Sequence, residues 1–153
     1  MIKTVRLGKQ DAIILVAPGF EETWLANCVT SLRQRGYRAL MVSLAPELIE
    51  GANGMTVKPD SYLSKLLQTN RPPKLLAIAD GKTCVNQLLS EPNVYRLMNQ
   101  TVAAGGRIAA TTESETILRH VGRVKFSDFD NCIWQRSTPT SEYAEQLVAS
   151  LSM

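Results

Sequence analysis

The residues best placed for chemistry lie in the stretch Gly105-Gly106-Arg107-Ile108-Ala109-Ala110-Thr111-Thr112-Glu113-Ser114-Glu115. There a short apolar run passes abruptly into a helix start. In open α/β sheets, ligands gather at such junctions, beyond the carboxyl ends of the strands. Enzymes of this architecture often carry a nucleophile on that turn. Thr112 stands where such a group would sit. Its hydroxyl needs a base within hydrogen-bond reach to become nucleophilic. Glu113 and Glu115 are near in sequence, but carboxylates are weak bases for a hydroxyl. The same quartet, Thr112 to Glu115, fits the S/T-x-x-E capping box, in which two side chains satisfy orphan amides. Capping is the preferred reading of Thr112.

Other reactive residue types are sparse. His120 is the only histidine. It falls about two turns beyond Thr112, near a helix C-terminus, where a surface or capping role is expected away from the elbow. The three cysteines, Cys28, Cys84 and Cys132, are far apart and form no C-x-x-C. They suggest neither a disulfide framework nor a zinc site. Cys28 falls on an apolar helix face and reads as core. Cys84 follows a strand, so an accessible thiol near the mouth of the site is one reading of it. Cys132 reads as strand core. Trp24 reads as packing, with partial exposure near the mouth as the alternative. Gly81-Lys82-Thr83 resembles the end of a P-loop, but the glycine required five positions earlier is Leu76. An ordinary turn is preferred. No metal site and no cofactor is expected.

Composition narrows the class. The chain has 153 residues, 44% hydrophobic and 20% charged, as in an ordinary globular domain. The net charge of +3 is scattered, so no nucleic-acid partner is expected. The apolar run Ala12 to Ala17 is far too short to span a bilayer. Charges interrupt the first eleven residues, which do not read as a signal peptide. The expected location is cytoplasmic, without membrane association.

The elements that must position Thr112 follow from periodicity. Ala12 to Ala17, Arg38 to Leu44, Lys74 to Ala79 and Arg107 to Ala110 are short apolar runs of the kind buried in parallel sheets. Met55 to Val57 predicts a short strand or hairpin arm; Val124 to Phe126 and Cys132 to Gln135 predict two more. Helical spacing is predicted over 20–35, from an N-cap at Asp60 through Leu67, around Val85 to Leu89, from Ser90 to Val102, over 112–120 and over 141–151. Asp80 to Thr83 is predicted as loop. Alternating strands and helices predict an α/β protein: a flavodoxin-like three-layer sandwich with a mainly parallel central sheet, one domain over residues 1–153.

The order of these pieces resembles the ThiJ/PfpI superfamily, the parkinsonism-associated deglycase group with a class I glutamine-amidotransferase-like fold. The resemblance rests on Ala17-Pro18-Gly19-Phe20-Glu21-Glu22, Val57-Lys58-Pro59-Asp60, Leu75 to Lys82, Leu89-Ser90-Glu91-Pro92 and Gly106 to Ala110. It implies an elbow cysteine, a glutamate beside it, a nearby histidine and paired glycines supplying an amide. Thr112 occupies the cysteine position and Trp24 the glutamate position. Glu113 follows the elbow in place of histidine, and Asp80-Gly81 replace the glycine pair. The resemblance therefore implies a catalytically degenerate homodimer acting through binding. Glu21, Trp24, Asp80, Gly81, Thr112 and Glu113 are its candidate ligand-binding residues. Two alternatives stand beside it. One is an enzyme of altered chemistry using Thr112 or Cys84, with Glu21 or Glu22 as proton acceptor. The other is a regulatory subunit acting through a separate partner.

Overall fold

The computed structural model describes residues 11–69, 71–121 and 131–152. The predicted strand Val124 to Phe126 lies outside them. Its sheet is built on β1 (Ala12–Leu15), an apolar run with no exposed surface. β1 pairs in parallel with β2 (Ala39–Ser43) on one side and with β6 (Leu75–Ile78) on the other. β7 (Arg107–Ala110) and β8 (Cys132–Trp134) continue that side, and β5 (Ser61–Tyr62) closes the far edge beyond β2. The six strands run β5-β2-β1-β6-β7-β8, all parallel. Leaving β5 aside, this is the flavodoxin-like order, and the α/β expectation holds. A small antiparallel pair, β3 (Ile49–Glu50) and β4 (Thr56–Val57), stands apart from the sheet. It realises the predicted hairpin arm.

Parallel strands need crossover helices, and those helices cover the sheet. α1 (Glu22–Gln34) packs against α6 (Thr140–Leu151). α2 (Leu63–Thr69) packs against α4 (Pro92–Ala103), and α3 (Lys82–Leu88) against α5 (Thr112–Val121). The core runs through both helix groups, from Phe20, Trp24 and Tyr143 to Val85, Leu97 and Met98. Among the described residues, no helix is long and apolar enough to cross a membrane.

Two boundaries differ from expectation for identifiable reasons. Asp60 was expected to cap a helix at Tyr62. Instead its carboxylate accepts the Met41 N–H at 2.8 Å and the Arg33 guanidinium at 2.9 Å. That anchors Ser61–Tyr62 as an edge strand on β2, and α2 begins only at Leu63. α3 starts at Lys82, inside the segment predicted as loop. Gly81 makes this early start possible with a φ of +115°. A Cβ there would clash with the Gly19 carbonyl oxygen. The loop after β1 thus presses directly on the loop after β6, and only glycine admits both the angle and the approach.

Gly81→Ala is accordingly expected to lower stability by about 2 kcal/mol or more. A urea titration checks this as a lowered midpoint at unchanged slope. An unchanged midpoint would contradict the close approach.

Candidate functional site

The carboxyl ends of β1, β6 and β7 are tied together by short polar links. The Glu21 N–H donates to the Asp80 carbonyl at 2.9 Å, joining the first two loops. The Thr111 hydroxyl donates to Asp80 Oδ1 at 3.0 Å, joining the second to the elbow. Thr111 is buried, and its carbonyl accepts the Glu115 N–H at 2.9 Å, so Thr111 is the N-cap of α5. Thr112 is the first helical residue and is exposed. The expected capping box is therefore corrected: the cap lies one residue earlier, and the Glu115 side chain is used elsewhere.

The glutamates expected to serve the elbow are committed. Glu21 caps α1, its carboxylate accepting the N–H groups of Thr23 at 3.1 Å and Trp24 at 2.9 Å. Glu22 holds the β3–β4 hairpin. Its carboxylate accepts the Asn53 N–H at 2.7 Å, the Asn53 side-chain amide at 3.0 Å and the Met55 N–H at 3.2 Å. Burial works against its charge, but these hydrogen bonds outweigh burial and lower its pKa. Neither carboxylate is a spare proton acceptor for Thr112.

Trp24 is 1% exposed, so the partly exposed alternative is overturned. Its indole N–H donates to Gln135 Oε1 at 2.8 Å. The Gln135 side-chain amide donates in turn to the Thr138 carbonyl at 2.9 Å and to the Thr140 hydroxyl at 3.2 Å. The Gln135 backbone N–H donates to the Ala110 carbonyl at 3.0 Å, so the indole sits at the carboxyl edge of β7 and β8. Tyr143 backs it, with ring centroids 6.4 Å apart. The Tyr143 hydroxyl also donates to the carbonyls of Ala110 and Ile133, and burial raises its pKa.

Burial raises the pKa of each of the three thiols. Cys84 was weighed as an accessible thiol but has no exposed surface. Its Sγ lies 3.7 Å from the Ala79 carbonyl, and burial pushes its pKa up to about 12. Cys28 is core, as expected, and its thiol too is raised to about 12 by burial. Cys132 is half-buried at the edge of the core, and burial raises it likewise to about 12.

Thr112 instead opens onto a cleft of about 620 Å³ along the outer face of α5. One wall is the helix itself, with Glu115, Thr116, Arg119 and His120. The other is the turn after β8, with Arg136 and Ser137. Of the six residues singled out from sequence, only Thr112 lines this cleft. Glu21, Asp80 and Gly81 lie half-buried in the linked loops after β1 and β6, Trp24 is buried, and Glu113 is exposed; none of the five lines the cleft. His120, expected away from the elbow, shares the cleft because i and i+8 fall on one helix face. Its Nδ1 lies 2.7 Å from the Thr116 carbonyl. Eight residues of rise still separate it from Thr112 by about 12 Å.

Glu115 is the centre of the cleft. Arg136 meets its carboxylate with two nitrogens, at 3.1 and 2.9 Å, and Arg119 Nε donates at 2.9 Å. The Glu115 side chain is only 12% exposed. The hydrogen bond from Arg136 is the main reason its pKa falls, with burial opposing and Arg119 assisting. A carboxylate held ionised in this way is a still weaker base. The Arg119 guanidinium also lies over the Trp134 ring, 5.5 Å from its centroid. The i,i+4 pair Glu115–Arg119 was visible in the sequence. Arg136 and Ser137 were missed, because no local pattern links them to α5.

Since the folded pKa of Glu115 lies below its ordinary value near 4.5, the clamp contributes stability above that value. The contribution is lost as pH falls through the lowered folded value. Thermal unfolding across that acid range is expected to show a steeper loss for the native chain than for Glu115→Gln. Parallel pH profiles for the two proteins would contradict the clamp.

Comparison with known proteins agrees with this architecture. The model of the DJ-1/PfpI family matches residues 10–129. No curated protein sequence matches significantly. Among solved structures, Drosophila melanogaster DJ-1beta superposes with a TM-score of 0.80 at 20% identity, over 94% of this chain and 90% of that one. A DJ-1 superfamily protein of Salmonella typhimurium, solved as a point mutant, gives 0.79 at 18% identity over 94% and 90%. Oxidized Toxoplasma gondii DJ-1 gives 0.77 at 18% identity over 92% and 93%. At these identities the structures establish the shared fold, and the family model covers most of the chain. The chain belongs to the DJ-1/PfpI family.

Proposed function

We propose that this chain is a catalytically degenerate, single-domain family member that acts through ligand or protein binding, as a cytoplasmic homodimer. The observation that carries the reading is the Trp24 indole. It is buried and hydrogen-bonded to Gln135 at the position where the resemblance places an acid partner. A nucleophile needs an activating group within hydrogen-bond reach. Glu21 caps a helix, Glu22 holds a hairpin and Glu115 pairs with arginines, while Glu113 is exposed. Thr112 therefore keeps its proton, and the cleft beside it is left for binding. The exposed Leu48 and Met55 beside the hairpin strands offer apolar surface for a second copy.

The test is a glyoxalase and deglycase assay of the native chain and of Thr112→Ala. No turnover above buffer is expected for either, and Cys84 should resist thiol labelling at neutral pH. Turnover abolished by Thr112→Ala would overturn the proposal. In the same preparation, sedimentation should give twice the chain mass of 16.9 kDa. A monomer at micromolar concentration would remove the homodimer from it.

A further inference from the structure

We propose that the turn Asn53-Gly54 is a site of spontaneous deamidation, and that the Glu22 carboxylate gates it. The proposal is independent of the binding reading above. Asn53 is the only asparagine in the chain that precedes a glycine. Asparagine in that setting is labile because glycine has no side chain to shield its backbone nitrogen. Both residues are exposed on the loop between β3 and β4. The reaction needs only water. The Gly54 nitrogen, once its proton has passed to solvent base, attacks Asn53 Cγ. The Cγ–Nδ2 bond breaks, ammonia leaves with a proton from water, and a succinimide closes. Water then opens that ring at either carbonyl, leaving aspartate or isoaspartate.

In the folded chain both reacting groups are held. The Gly54 N–H donates to the Gly51 carbonyl at 3.1 Å. The Asn53 side-chain amide donates to Glu22 Oε1 at 3.0 Å, and the Asn53 N–H donates to Glu22 Oε2 at 2.7 Å. Glu22 is itself pinned: it is buried in the first turn of α1, and a Cβ at Gly51 would clash with its carboxyl group. Attack requires Asn53 Cγ to swing toward the Gly54 nitrogen, so these bonds must open first. Reaction therefore proceeds through local opening of the loop. Its products do not close again in the same way. Aspartate replaces a donor by a carboxylate within reach of Glu22, and like charges sharing a site disfavour ionisation of both. Isoaspartate adds a methylene to the backbone between the Asn53 and Met55 N–H groups, both of which donate to Glu22 Oε2. Either product loosens the hairpin loop from α1.

The test incubates the full native chain, Glu22→Gln and the guanidinium-unfolded chain at mildly alkaline pH, and follows the Asn53 peptide by mass spectrometry. The native chain is expected to convert slowly and the unfolded chain fastest. Glu22→Gln puts an amide nitrogen where an acceptor oxygen stood, and should convert about tenfold faster than the native chain. No conversion of native Asn53 while the unfolded chain converts overturns the site. Equal rates in the native chain and a folded Glu22→Gln overturn the gate. If Glu22→Gln does not fold, Glu22→Asp, whose shorter side chain draws the carboxylate back from Asn53, takes its place under the same criterion. Hydrogen exchange reads the consequence: the Met55 amide should exchange faster in Asn53→Asp than in the native chain. Unchanged protection there overturns the coupling between the modification and the hairpin.

Discussion

The hydrogen bond from the Trp24 indole to Gln135 joins the first helix to the turn that follows the last described strand, 111 residues away. Gln135 is in turn fixed through its backbone to Ala110 and through its amide to Thr138 and Thr140. An indole is large and buries its hydrogen-bonding edge only where a partner is supplied. Its presence sets how α1, β8 and α6 meet at the carboxyl edge of β7. Tyr143 completes the knot by donating to the carbonyls of Ala110 and Ile133. A charged side chain at position 24 would need solvent or a proton donor here, and the packing around Gln135 and Tyr143 is arranged for an indole instead.

From this knot the character of the elbow follows. The carboxylates around it each have partners: Glu21 the amides of α1, Asp80 the Thr111 hydroxyl, Glu22 the hairpin. What remains open lies in front, where α5 faces the turn bearing Arg136. The elbow thus joins β7 to α5 through the Thr111–Asp80 link, and a polar cleft runs along α5 beside Thr112.

Much of this was legible in the sequence, and the exceptions have physical causes. β1 and β7 were readable because buried parallel strands are short runs of apolar residues closed by turn residues. The helix over 112–120 was readable from its amphipathic spacing. β5 was not, because two residues cannot carry a period; its pairing with β2 and the Asp60 links to Met41 and Arg33 are long-range. The N-cap was misplaced by one residue because Thr111 and Thr112 both satisfy the pattern, and the choice between them was made by Asp80, a residue distant in sequence. Cys84 looked accessible because it follows a strand, but the early start of α3 at Lys82 turns it inward. Trp24 was readable as packing from the helix stripe, while its partner Gln135 was not. Long-range pairing leaves no local trace, and for the same reason Arg136 escaped notice.

The most direct measurement is hydrogen exchange at the Trp24 indole N–H, followed by NMR with the Trp134 indole as internal reference. The account predicts strong protection of Trp24, lost when Gln135→Ala removes its acceptor while the fold persists. An indole N–H of Trp24 that exchanges as freely as one in open solvent would mean that the position is vacant and the elbow accessible. That result would contradict the central claim.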